Sequence, residues 1–170
     1  MKNIRVIVCG PAVGKTYLAS TDSRFVDLDD ERAKYKYGLF NASNEELERG
    51  KLNRNGVVNT DSSEYIIRRI DEELAKGKCI LLSYHEKILN YIISKGIDYC
   101  LVYAPLDARE EYARRMKNRG NQNNFIESNA SEENFKKLYE KNINNTTARY
   151  KIELKKGEYL KDIADLFFEE

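Results

Sequence analysis

Apolar residues in this chain come in short blocks, and the spacing within the blocks switches between strand-like and helix-like periods. Ile4, Val6, Ile7 and Val8 form a β-rich run that breaks at Gly10-Pro11-Ala12-Val13-Gly14 and resumes as a helix-forming stretch from Lys15. Phe25, Val26 and Leu28 read as a second strand that ends in carboxylates. Tyr65, Ile66, Ile70 and Leu74 recur at helical spacing, with Asp61, Ser62 or Ser63 as the cap and Gly77 as the stop. Cys79 to Leu82 is a buried strand ending at Ser83, and Glu86 to Lys95 is a helix with Ile88, Leu89, Ile92 and Ile93 inward and Gly96 at its end. Tyr99 to Tyr103 is the next strand, broken by Pro105, and a charged helix runs from about Asp107 to Asn118. Residues 119–130 read as a polar, flexible, lid-like loop. Ser131 starts another helix, to about Ile143; Tyr150 to Leu154 is the last strand; Lys155-Lys156-Gly157 turns the chain; and Tyr159 to Phe168 closes it as an amphipathic helix.

Strands alternating with helices predict a parallel α/β sheet joined by right-handed crossovers. Five strands fit, near residues 4–8, 24–28, 79–83, 99–103 and 150–154, in one domain spanning residues 1–170. Residues 31–37 start a helix. Residues 38–60, rich in Asn, Gly and Ser with a helical patch at Glu45 to Arg49, read as an irregular segment on the substrate side. In such sheets ligands sit beyond the carboxyl ends of the strands. That places Gly10–Thr16, Asp27–Asp30, Ser83–His85, Ala104–Asp107 and Lys155–Gly157 on the rim of one cleft.

Composition narrows the picture little. The 170 residues are 41% hydrophobic and 34% charged, an ordinary balance for a water-soluble domain. A net charge of +1 argues against a broad nucleic-acid surface. The amino terminus enters a strand at once, without a signal-peptide core, and no run reaches membrane-spanning length, so a cytoplasmic, non-membrane protein is expected. Cys9, Cys79 and Cys100 form no Cys-x-x-Cys pair, and Cys79 and Cys100 lie in apolar strand-like runs, which suits small core residues in a reducing compartment. One histidine and no ligand cluster argue against zinc.

The chemistry is concentrated at residues 10–16. A strand, a glycine loop and a helix opening with Lys-Thr make the phosphate-binding loop, or Walker A, arrangement. Amides of Gly10, Pro11, Ala12, Val13 and Gly14 and of the helix start cradle phosphate; of these five, proline contributes only its fixed φ. Lys15 reaches the β- and γ-phosphates of ATP, the Thr16 hydroxyl ligates Mg²⁺, and Tyr17 follows on the nucleotide-binding helix. The usual spacing asks for glycine at position 9, where this chain has Cys9.

The second strand ends Asp27-Leu28-Asp29-Asp30, and residues 27 and 29 of a strand share a face. One carboxylate there can hold Mg²⁺ through water and the other can orient an acceptor hydroxyl. The alternative is a solvated acidic turn with Asp30 as a helix cap. The third strand ends at Ser83 rather than in an acid, which weakens a mechanical ATPase or GTPase reading. His85 is either a rim group or a plain helix-start residue. Arg114, Arg115 and Arg119 cluster ahead of the 119–130 loop, where arginines closing over bound phosphate would stabilise phosphoryl transfer. Their bland alternative is a solvated helix face with Glu111 and Arg115 as an i,i+4 pair.

This order of motifs resembles the nucleoside monophosphate kinase superfamily of P-loop kinases, which have a three-layer P-loop NTPase fold. The segment FVDLDDERAKYKYG is similar to the Asp-x-Asp segment of shikimate-kinase-like enzymes, which implies a metal-supporting role for Asp27 and an acceptor-binding role for Asp29. EEYARRMKNRGNQNNFIE and KKGEYLKDIADL look like small nucleotide kinases of bacteriophages and their bacterial hosts. The resemblance implies an ATP- and Mg²⁺-dependent phosphotransferase, monomeric or homodimeric, acting on a small acceptor, foremost a nucleoside monophosphate. Arg115 and Arg119 would then neutralise the transferring group and Arg114 would contact the nucleotide. Tyr35, Tyr37 and Phe40 are candidates to stack on a base. A metabolite kinase with a hydroxyl acceptor and a nucleotide-binding regulatory protein with little turnover remain as alternatives, with a polynucleotide end kinase behind them.

Overall fold

The computed structural model describes residues 4–29 and 62–168. Asp30, the 31–37 helix, the 38–60 segment, Tyr35, Tyr37, Phe40 and the Asp61 cap lie outside the described residues.

Five strands, β1 (Val6–Cys9), β2 (Phe25–Asp27), β3 (Cys79–Ser83), β4 (Cys100–Tyr103) and β5 (Tyr150–Glu153), form one parallel sheet. The order is β2-β3-β1-β4-β5, so the first strand made is the central one. Its register sets Ile7 opposite both Leu81 of β3 and Cys100 of β4. The helices are α1 (Lys15–Thr21), α2 (Ser62–Ala75), α3 (Glu86–Ser94), α4 (Arg109–Asn118), α5 (Asn123–Ala130) and α6 (Glu132–Ile143). Short 3-10 turns at Leu106–Ala108 and a longer 3-10 stretch at Leu160–Phe167 complete the described elements.

The alternation of side chains along each strand builds two cores. Ile7, Cys9, Leu81, Cys100 and Val102 face one side and pack with Leu18 of α1, Tyr112 and Met116 of α4, Phe135 of α6 and Leu160 of the carboxyl-terminal stretch. Val6, Val8, Ile80, Leu82 and Leu101 face the other and pack with Ile66 and Ile70 of α2 and Ile88, Leu89 and Ile92 of α3. Strands covered on both faces read as continuous apolar runs rather than alternating ones, which is the pattern of VIVC and CILL.

Three elements depart from the sequence expectation. Residues 119–130 are not one loop: α5 occupies Asn123–Ala130, leaving only 119–122 as the connection. NQNNFIESNA has weak helix propensity, but Ile126 and Ala130, four residues apart, both meet the core, and that packing outweighs the propensity deficit. The closing segment is 3-10 rather than α. Its buried residues Leu160, Ile163, Ala164 and Phe167 recur at three- and four-residue intervals that suit either geometry. The helix expected from Asp107 begins at Arg109, after the 3-10 turn. As expected, Ser131 caps α6, its hydroxyl accepting from the Asn134 amide at 3.4 Å.

Candidate functional site

The loop between β1 and α1 lies beyond the carboxyl end of the central strand. Cys9 is the last residue of β1, fully buried, in register with Ser83 and Val102, and its thiol donates to the Leu82 carbonyl at 3.7 Å. Its backbone is not in the positive-φ region, so position 9 is an ordinary strand position here and needs no glycine. Burial pushes the Cys9 thiol up to about 11. The loop turns instead at Ala12 (φ 62) and Gly14 (φ 93). A Cβ on Gly14 would also come within 3.3 Å of the Tyr159 ring, whereas a Cβ on Gly10 would meet nothing within 4 Å. Pro11 is partly buried, Ala12 and Val13 are buried.

Lys15 opens α1 and folds back over the loop. Its ammonium donates to the Gly10 carbonyl at 3.1 Å and stands 3.9 Å from an Asp29 carboxylate oxygen. The lysine is only 9% exposed, so its charge acts at short range in a poorly hydrated setting. The Thr16 hydroxyl donates to Asp27 Oδ2 at 2.9 Å, and Asp27 Oδ1 accepts from the Asp29 amide at 3.0 Å. Burial raises the Asp27 pKa and outweighs the opposing pull of Lys15 and the Thr16 hydrogen bond. Asp29 leaves the strand at the bend after β2, and its Oδ2 accepts from the Ser83 hydroxyl at the end of β3. Ser83, where the sequence reading expected an acid in other NTPases, is thus tied to the acid of the neighbouring strand.

Residues from α1, β2, the bend after it and β3 therefore meet at one point: Lys15, Thr16, Asp27, Asp29 and Ser83. Tyr17 points out, 58% exposed, beside the Lys161 ammonium at 5.6 Å. His85 is exposed at the start of α3, where its carbonyl accepts the Leu89 amide; this is the helix-start alternative.

The three arginines part company. Arg114, in α4, and Arg119, the residue that follows it, are both exposed. Arg115 is turned inward and buried, paired with Glu111 as the i,i+4 spacing allows. Its guanidinium also donates to the Ala12 carbonyl at 3.3 Å and the Glu158 carbonyl at 3.0 Å. Removing one partner of such a buried pair typically costs about 3–5 kcal/mol. The sequence reading saw the Glu111–Arg115 pair but missed Glu158 and Tyr159, which sit more than forty positions away and carry no local signal.

Among the described residues no group of three or more His, Cys, Asp or Glu side chains is placed to hold a metal ion. A hydroxyl and a buried carboxylate oxygen 2.9 Å apart nevertheless suit Mg²⁺, a hard cation that keeps several waters and takes its remaining ligands from substrate phosphates. No family model matches the chain, and no curated protein matches it either. No helix among the described residues is long and apolar enough to cross a membrane.

Proposed function

We propose that this chain is a P-loop kinase that moves the γ-phosphoryl of ATP to a small acceptor, foremost a ribo- or deoxynucleoside monophosphate. The observation that carries this reading is the convergence of Lys15, Thr16, Asp27 and Asp29 around a glycine loop at the carboxyl end of a central parallel strand.

In this mechanism the amides of residues 12–16 bind the phosphate chain at the helix start, where unpaired N–H groups gather. Lys15 exchanges its contact with the Gly10 carbonyl for phosphate oxygens and follows the charge that shifts onto the bridging oxygen during transfer. Thr16 and Asp27 would hold Mg²⁺, which would supply charge neutralisation at the phosphates. Burial makes the Asp27 carboxylate costly to charge without a cation, which suits a metal-supporting group. Asp29, fixed by Ser83, orients the acceptor. An acceptor monophosphate is already ionised, so it needs placement more than a base. Arg114 and Arg119, exposed beside the 119–122 connection, are the arginines free to meet phosphate from solvent, while Arg115 is committed elsewhere.

A hydroxyl acceptor is the second reading. It is favoured by the Ser83–Asp29 contact, because a carboxylate held in place next to Lys15 is equipped to take a hydroxyl proton.

The test is ADP release from Mg²⁺·ATP in the presence of nucleoside monophosphates, nucleosides and hydroxylated metabolites, with Lys15→Ala alongside. Acceptor-dependent turnover with a monophosphate, lost at least about a thousandfold in a variant with an unchanged circular dichroism spectrum, is the expected result. Turnover with a hydroxyl acceptor alone moves the assignment to a metabolite kinase. ATP binding with no acceptor-dependent release moves it to a regulatory nucleotide-binding protein.

A further inference from the structure

The inward-facing arginine is connected to the glycine loop at more points than a surface ion pair would need. Arg115 donates to the Ala12 carbonyl at 3.3 Å. The next loop carbonyl, Val13, accepts from the Leu160 amide at 3.0 Å. The residue after that, Gly14, lies against the Tyr159 ring, with its Cβ position 3.3 Å from that ring. Residues 12, 13 and 14 are thus each held from one side, by α4 and by the turn that follows β5. The turn is itself tied to the same arginine. Glu158 accepts from Arg115 at 3.0 Å, Glu111 accepts from the Gly157 amide at 3.0 Å while paired with Arg115, and the guanidinium lies 3.7 Å from the Tyr159 ring centre.

A trans peptide fixes what this does to the loop. The C=O of one residue and the N–H of the next belong to a single plane and point opposite ways. With the Ala12 carbonyl aimed at Arg115, the Val13 amide points away from it. With the Val13 carbonyl aimed at Leu160, the Gly14 amide points away from that. No peptide among the described residues is cis. Ala12 also holds φ 62, a conformation a non-glycine residue keeps only where its surroundings over-determine it.

We infer that Arg115 is a positioning residue: with Tyr159 and the 157–160 turn it holds residues 12–14 from behind, so that the Val13 and Gly14 amides face the phosphates of the nucleotide. This rests on the reading of the loop as the phosphate site. Arg115 then sets how tightly ATP binds rather than how fast the phosphoryl moves. It is not one of the groups that neutralise the transferring phosphoryl, because both terminal nitrogens are taken by protein oxygens and its Nε is buried.

The experiment compares Arg115→Lys and Tyr159→Leu with the wild type. Lysine keeps the charge beside Glu111 but cannot bridge two carbonyls in one plane; leucine removes the stacked ring and leaves the arginine paired. Mg²⁺·ATP affinity is read by calorimetry, which needs no turnover, together with KM for ATP, kcat and the thermal midpoint. Both variants are expected to weaken ATP binding by about tenfold or more, with kcat at saturating ATP within about threefold of wild type. A kcat loss of about a hundredfold with unchanged ATP affinity overturns the inference and returns Arg115 to the transferring group. A lowered midpoint with ATP affinity unchanged overturns it too, leaving Arg115 as core packing alone. Should Arg115→Lys fail to fold, Tyr159→Leu decides on the same readings. Lys15→Ala separates the two levels: if it binds ATP as tightly as wild type, the phosphate-loop reading itself falls. If it loses binding while both brace variants keep it, only the brace falls.

Discussion

Gly14 carries two constraints that Gly10 does not. Its φ of 93 is open to glycine and strained for any other residue, and a methyl there would press on the Tyr159 ring. Gly14→Ala should therefore cost about 1–2 kcal/mol of folding stability, read as a lowered urea midpoint. Gly10→Ala should stay within about 0.5 kcal/mol of wild type in the same titration, since its methyl meets no neighbour and its backbone is unstrained. Equal losses at the two positions would mean that the turn is not shaped as described. The residues at the loop and at the end of β2 were legible in the sequence because strand, glycines, Lys-Thr and an acidic strand end are all local signals. Position 9 was legible only as a mismatch. Its placement inside β1, where cysteine is as serviceable as glycine, depends on register with β3 and β4. The role of Arg115 was not legible, because its charge pattern is the same on a solvated face as in a buried one. What distinguishes the two is Tyr159, brought in by the fold.

Among elements, α5 and α6 meet at Ser131, which ends one and starts the other: its amide donates to the Glu127 carbonyl at 3.1 Å and its hydroxyl caps the next helix. The cap contact is long, at 3.4 Å, so Ser131→Ala should lose about 0.5–1 kcal/mol, at the modest end for an N-cap. A loss well beyond that by thermal or urea unfolding would mean that the junction, rather than one hydrogen bond, depends on the hydroxyl. The sequence marked this start correctly because Ser131 with Glu133 and Asn134 close behind it is a local cue. It failed one element earlier, where the helix has no cue of its own: α5 packs between α4 and α6 and owes its form to them. β1, β3 and β4 needed no such help, since each is a short apolar run bounded by turn residues, whereas β5, YKIE, is a mostly exposed strand at the sheet edge. Their order in the sheet was not readable from those runs.

For the molecule as a whole, the three thiols report on the integrity of the sheet. Cys9, Cys79 and Cys100 sit on β1, β3 and β4, and none is more than 1% exposed. Burial raises all three, to about 11, about 12 and about 12. A raised thiol pKa means less thiolate at a given pH, so at pH 8 about one molecule in a thousand or fewer would carry a reactive sulfur at any of them. Alkylation of the native protein at pH 8 should therefore run no faster than global opening, and all three sites should label together as urea unfolds the chain. Fast labelling of one thiol alone would mean that its strand opens independently. The central placement of β1 has a further consequence, for the protein while it is being made. Its partners in the sheet are β3 and β4, which leave the ribosome seventy to ninety residues later, or roughly 4 to 20 s at ordinary elongation rates. Through that interval Val6–Cys9, destined to be covered on both faces, has neither of its neighbouring strands to pair with. The turn at 157–160 that orders the neighbouring loop emerges later still. A growing chain of this protein therefore offers a sticky strand to chaperones well before the loop that follows it is braced.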